Sequence, residues 1–260
     1  MVELLANPDA WIALITLTFL EVVLGIDNII FISIVTGKLP EKERKKATRV
    51  GLILAMLMRI GLLLGITWLI AMKASVFSLH LSWIDLDLSG QGLILLLGGL
   101  FLIYKSTKEI SEKVDHKGEE EHQLKSTAKR SFTQAIIQIL VIDMIFSVDS
   151  ILTAVGMTNG VDGALYIMIT AVVISILIML IFAVPVGTFV NKNPSIQVLG
   201  LAFLILIGFM LITESMHLSH AQIFGQEVGA IPKGYLYFAI AFSLSVEFIN
   251  MKVRKSKKIE

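Results

Sequence analysis

The chain predicts an all-α polytopic membrane protein of seven transmembrane helices, an inverted-topology 3+3 repeat with one helix appended. Three observations carry that expectation. Hydrophobic residues make up 55% of the 260 residues and mean hydropathy is +0.82, with the apolar positions gathered in runs of about twenty, the length a helix needs to cross a hydrocarbon layer of about 30 Å. Between those runs Lys and Arg alternate sharply in abundance. One polar motif also occurs twice, the copies 122 residues apart.

Apolar runs fall at roughly 11–36, 48–72, 90–105, 132–157, 163–190, 195–217 and 234–251. The N-terminus carries Glu3 and Asp9 where a cleaved signal peptide has basic residues, so the first helix is expected to be retained. The first loop holds Lys38, Lys42, Arg44, Lys45, Lys46 and Arg49. Arg59 sits midway along the second helix. The segment VFSLHLSWIDLDLS alternates apolar and polar residues with a phase slip at Trp83-Ile84, which predicts two short strands or an interfacial hairpin, and no chemistry is assigned to it. The linker around DHKGEEEHQLK is mixed in charge and reads as a solvated, mobile connector; metal binding by His116 and His122 is the weaker reading. In domain terms the first repeat is 1–110, the cytoplasmic linker 111–131, the second repeat 132–220, and the seventh helix with its basic tail 221–260.

One side of the membrane receives 19 Lys and Arg, the other only Lys73 and Lys233. The basic side is cytoplasmic by the positive-inside rule, so the N-terminus lies outside and the C-terminus inside. Trp11, Trp68, Tyr235 and Tyr237 fall near the outer ends, where amphipathic rings favour the interface. Cysteine is absent, which excludes disulfides, thiolate metal ligands and cysteine nucleophiles. Any bound metal must use oxygen or imidazole.

The repeated motif is EVVLGIDN, Glu21 to Asn28, and DMIFSVDS, Asp143 to Ser150. Both copies set acids inside a membrane-length apolar run, where an ionised carboxylate costs a few kcal/mol or more and rarely persists without a partner. The alignment equates Glu21 with Asp143, Asp27 with Asp149 and Asn28 with Ser150. QGLILLLGGLFLI from Gln91 likewise resembles QVLGLAFLILIGFMLI from Gln197, relating the third helix to the sixth. Three helices per copy is an odd number, so the second copy enters the membrane from the opposite side.

Opposite orientations place Asp149 at the depth of Glu21 and Asp143 at the depth of Asp27, about 9 Å apart at 1.5 Å per residue. Pairs of Glu21 with Asp149 and Asp27 with Asp143 are therefore expected. Residues six apart on a regular helix point about 240° away from each other, so Gly25 and Ser147 are the expected hinges, where local unwinding would turn both acids of a helix toward one cavity.

Glu21, Asp27, Asn28, Asp143, Asp149 and Ser150 form an all-oxygen donor set suited to hard divalent cations: Mn²⁺, Mg²⁺ or Ca²⁺. Without a cation the clustered acids attract protons, so cation and proton compete for one site. In a purely structural reading these acids pair with Arg59, but one arginine cannot neutralise four carboxylates, so Arg59 is an accessory candidate that neutralises one acid or occupies the site when it is empty. Further accessory candidates are Glu214, His217 and His220, spaced along one face at the outer end of the sixth helix, and Glu247 near the inner end of the seventh, where it lines an exit path or reaches headgroups. The Met residues are core filling.

EVVLGIDN, DMIFSVDS, GGLFLIYKSTKEI and PKGYLYFAIAFSLSVEFIN together resemble the TerC family of bacterial integral membrane proteins, and most closely its short members without added cytoplasmic domains. The resemblance implies a tellurium-resistance name, an inner-membrane location and, as in several members, manganese export. It carries the family's acidic motifs onto Glu21, Asp27, Asn28, Asp143, Asp149 and Ser150. One departure is Ile151-Leu152 after the Asp-Ser, where many relatives have a proline.

The leading expectation is a multi-pass inner-membrane transporter that exports a divalent cation, manganese before magnesium or calcium, by proton-coupled alternating access, and not an enzyme. Two alternatives stand beside it. One is a membrane partner for metallation or assembly of exported proteins. The other is an intramembrane aspartyl protease, disfavoured because four acids exceed its two-carboxylate chemistry and its Tyr-Asp and Gly-x-Gly-Asp contexts are absent. The expected partners are the divalent cation and the lipid bilayer, without nucleic acid, and oligomeric state is left open. A topology test follows: green fluorescent protein fused after Glu260 is expected to fluoresce, and alkaline phosphatase fused there to be inactive.

Overall fold

Prolines and polar caps set where the long helices begin. The computed structural model describes residues 7–66, 75–81, 83–115, 131–158, 161 and 163–256. Helix α1 (Pro8–Gly37) starts at Asn7, whose side chain accepts the amide of Asp9, with Pro8 in the first turn. Helix α2 (Glu41–Leu64) follows Pro40 and opens on Glu41 and Glu43, acids that suit the positive end of the helix dipole. Helix α3 spans Gly90–Asp115 and takes Ser89 as its lead-in, the Ser89 hydroxyl accepting the Gly92 amide at 3.0 Å. Helix α4 (Phe132–Met157) has a reciprocal cap between Ser131 and Gln134. Helices α5 (Ala164–Lys192), α6 (Pro194–Leu218) and α7 (Lys233–Ser256) complete the seven among the described residues.

Six of these seven helices are long and apolar enough to cross a membrane; α3 is not among them. Its apolar stretch, Gly92 to Tyr104, covers only about 20 Å at 1.5 Å per residue, and the turns beyond it carry Lys105, Lys108, Glu109, Glu112 and Lys113. Of the aromatic residues expected at the outer ends, Trp11 and Tyr235 are exposed, while Trp68 lies outside the described residues, as do His116 and His122 of the linker.

The chain forms two compact units, Met1–Ala74 with Thr127–Asn191, and Ser75–Ser126 with Lys192–Glu260. Each draws on both halves of the sequence. The first takes α1, α2, α4 and α5; the second takes α3, α6 and α7. Repeat boundaries at 1–110 and 132–220 follow the sequence copies, whereas the units gather corresponding helices from both.

In the first unit α1 and α5 run parallel, with Gly25 against Met179, Ser33 against Gly187 and Gly37 against Asn191. Helix α2 lies along α4 and α1, Gly51 fitting against Ile136 and Ile139.

The second unit is built on an antiparallel α3 and α6. A Cβ added at Gly99 would stand 2.5 Å from the Gly208 carbonyl oxygen, and one at Gly208 would stand 2.8 Å from that of Gly99. The neighbours are reciprocal too: Ile212 crowds Gly99 as Ile103 crowds Gly208. Such close backbone approach is how membrane helices gain contact where lipid supplies no hydrophobic drive. The Ser215 hydroxyl bonds the Gly92 carbonyl at 2.6 Å at one end, and Lys113 bonds Gln197 at the other.

The alternating segment between α2 and α3 is a hairpin, β1 (Ser75–His80) and β2 (Ile84–Ser89), whose turn falls at the sequence's phase slip. Two short strands after α6, β3 (Gln222–Ile223) and β4 (Gln226–Glu227), extend it to a four-stranded antiparallel sheet in the order β1-β2-β3-β4. Replacing Gly99 by Val is expected to push α3 from α6 and destabilise the second unit by roughly 1–3 kcal/mol, read as a lower thermal midpoint of the detergent-purified protein.

Candidate functional site

Three helices of the first unit converge on one guanidinium. Arg59 of α2 is 3% exposed, Glu21 of α1 6% and Asp143 of α4 7%. Arg59 Nη1 donates to Glu21 Oε2 at 2.5 Å. On its other edge Nη2 donates to Asp143 Oδ1 at 2.6 Å and Nε to Oδ2 at 3.2 Å, a fork matching both carboxylate oxygens. Burying these charges is tolerable only because they satisfy one another, since desolvating each alone costs several kcal/mol.

Further polar groups surround Asp143. Asn28 Nδ2 donates to its Oδ1 at 3.5 Å, and the Ser147 hydroxyl lies 2.6 Å from the Asp143 carbonyl oxygen and 3.3 Å from Oδ2. Ser150 is buried and donates to the Ser147 carbonyl at 3.3 Å. Asp149 is half-buried six residues beyond Asp143, and its carbonyl accepts the Thr153 hydroxyl at 3.0 Å. Asp27 lies on α1, but its side chain is outside the described residues, and so is the expected pairing of Asp27 with Asp143. With both acids ionised, the bridge of Glu21, Arg59 and Asp143 keeps one surplus negative charge.

Two expectations change. Glu21, expected to pair with Asp149, instead meets Asp143 through Arg59, whose guanidinium offers a separate edge to each carboxylate. The expected unwinding at Gly25 and Ser147 is absent: α1 and α4 are continuous helices through both. Gly25 is small because Met179 of α5 occupies the space its side chain would fill. Ser147 turns back onto the preceding turn and holds Asp143. No proline follows Ser150, and nothing breaks the helix there. A proline does fall inside α5, where Pro185 lacks the amide donor two residues before the Gly187 contact with Ser33, yet the helix runs on through it.

Among the accessory candidates, Glu214 is half-buried and His217 exposed on the last turn of α6. His220 does not share their helical face, because α6 ends at Leu218 and His220 takes a left-handed backbone with φ 46°. Glu247 is half-buried on α7, its Oε1 without a hydrogen-bond partner among the described residues. The sequence offered Arg59 as a partner of these acids but not its simultaneous grip on both copies of the motif, and it did not offer Ser147 as the hydroxyl that holds Asp143. The four-residue spacing of Ser147 from Asp143 was the available signal for the latter.

Apolar helices enclosing a buried ionic cluster define a multi-pass membrane protein. The chain belongs to the integral membrane protein TerC family, whose family model matches residues 6–259. It is 45% identical over 258 residues to a UPF0053 protein of Haemophilus influenzae, covering 99% of this chain and all of that one. It is 47% identical over 253 residues to the UPF0053 inner membrane protein YgdQ of Escherichia coli, covering 97% of each. The longer E. coli UPF0053 inner membrane protein YoaE is 41% identical over 254 residues, 98% of this chain but 45% of its own length. No solved structure matches the chain.

Arg59→Gln is expected to leave two buried carboxylates without their counter-charge and to lower stability by about 3–5 kcal/mol, seen as a fall in thermal midpoint in detergent. Glu21→Gln is expected to cost less, because the two-edged pair of Arg59 with Asp143 survives.

Proposed function

We propose that this protein is a divalent-cation transporter that exports manganese across the bacterial inner membrane in exchange for protons. The observation that carries the reading is the convergence of Glu21 and Asp143, corresponding positions of the two motif copies, on one buried site with the Asn28 amide beside them. Membrane interiors hold ionisable groups where ions or protons pass, and a carboxylate and amide set suits a hard divalent ion. Asp27, Asp149 and Ser150 complete the proposed ligand set. Substrate choice follows the resemblance to TerC proteins, several of which export manganese.

Arg59 acts in this reading as an internal stand-in for the cargo. It holds the acids together while no metal is bound, and an arriving Mn²⁺ displaces it and takes over the carboxylates. Protonation of the acids on the far side then favours release, since neutral carboxyls bind metal poorly. Proton and metal thus compete for the same oxygens, which is the chemical basis of exchange. The protein performs no covalent chemistry in this scheme.

The same proposal takes α3 as a seventh crossing and the halves as an inverted repeat. Support comes from the antiparallel course of α3 along α6, from Gly92 beside Ser215 to Lys113 beside Gln197, and from the reciprocal Gly99 and Gly208 contact. A helix paired along most of a spanning helix reaches both of its ends. The basic loops then set the N-terminus outside and the C-terminus in the cytoplasm.

In proteoliposomes with an imposed pH gradient, Mn²⁺ is expected to move with dissipation of the gradient. Asp27→Asn and Asp149→Asn, each inserted at wild-type level, are expected to abolish that flux and to remove manganese tolerance from cells. Retained flux and tolerance in both variants would sink the proposal.

A further inference from the structure

The hairpin between α2 and α3 carries a cluster to which the transport reading gives no role. His80, Asp85 and Asp87 each present a ligand atom, and the three atoms lie within 4.8 Å of one another, the one such group among the described residues. Strand register brings them together. His80 pairs with Asp85 and Ser78 with Asp87 across β1 and β2, so strand alternation puts all four on one face. Phe77, Leu79, Leu86 and Leu88 pair on the other face, where Leu88 is buried. Leu88 anchors that face beside Gly92 while Phe77 stays exposed, and the polar face is open.

The contacts sort the cluster into ligands and supports. His80 Nδ1 lies 2.6 Å from Asp85 Oδ1, and its Nε2 lies 3.9 Å from Asp87 Oδ1. The Ser78 hydroxyl donates to Asp87 Oδ1 at 2.5 Å. A carboxylate at Nδ1 keeps the proton on that nitrogen and turns the Nε2 lone pair outward, the arrangement by which proteins orient metal-binding histidines. Two ligands each about 2.0–2.1 Å from a shared ion stand at most about 4.2 Å apart, so the gap between Nε2 and Asp87 accepts one ion.

We propose that this face is a second metal site, in which His80 Nε2 and Asp87 ligate a divalent transition ion, Asp85 orients the imidazole and Ser78 steadies the carboxylate. Imidazole with carboxylate favours Zn²⁺ and its first-row neighbours over Mg²⁺ and Ca²⁺. Water completes the coordination, because the three side chains are exposed. The proposal does not rest on transport: its residues belong to the other unit and it requires binding alone.

Zn²⁺ titration of the full-length detergent-purified protein by calorimetry tests it. Wild type is expected to bind one Zn²⁺ per chain more than His80→Ala or Asp87→Asn. Asp85→Asn is expected to keep that site but weaken it about 10- to 100-fold, the usual effect of losing a histidine's orienting carboxylate. Mg²⁺ is expected to bind wild type and His80→Ala alike. Asp87→Asn is isosteric on an exposed strand and keeps the test valid where His80→Ala disturbs the hairpin. Equal Zn²⁺ stoichiometry and affinity in wild type and both ligand variants would overturn the site.

Discussion

The ion bridge from Glu21 through Arg59 to Asp143 is the constraint on which the first unit depends. It joins α1, α2 and α4 by the groups that would be most costly to bury unpaired. It also links corresponding positions of the two motif copies by a residue that has no charged counterpart: α5 bears no acidic or basic residue between Ala164 and Val190. A symmetric arrangement of acids is thus held by an asymmetric cation, and one negative charge remains over with both acids ionised.

Within each unit small residues carry part of the packing. The side chains of Met179 and Asn191 on α5 reach into the space left by Gly25 and Gly37 of α1, and Ser33 into that left by Gly187, while in the second unit Gly99 and Gly208 bring α3 and α6 together antiparallel. In lipid, where apolar side chains gain nothing by leaving one another's company for the bilayer, such close contacts and buried hydrogen bonds carry helix association. Continuous α1 and α4 have a consequence for the acids. They leave positions six apart pointing in different directions, so one member of each copy turns into the bridge while Asp149 remains half-buried one and a half turns away.

How much was legible in the sequence differs by feature. Helix positions came from the length of apolar runs, and the hairpin from alternation broken at Trp83-Ile84, because both patterns reflect local geometry and burial. Family membership was legible in four motifs that lie along nearly the whole chain. The hinge reading failed because a glycine inside a motif signals closeness to a neighbour as readily as freedom of the backbone, and Met179 is 154 residues away from Gly25 in the sequence. Glu214, His217 and His220 shared a helical face only while α6 was taken to continue past Leu218.

By itself the sequence determined a helical membrane protein with a duplicated acidic motif, since hydropathy and repetition are properties of the chain read in order. Only the tertiary structure decided which acids meet, that one arginine grips both copies, and that the two compact units each collect helices from both halves. Those outcomes depend on depth, rotation and side-chain reach across helices far apart in sequence. No local pattern encodes them, because the guanidinium of Arg59 meets Glu21 and Asp143 only after three helices have packed.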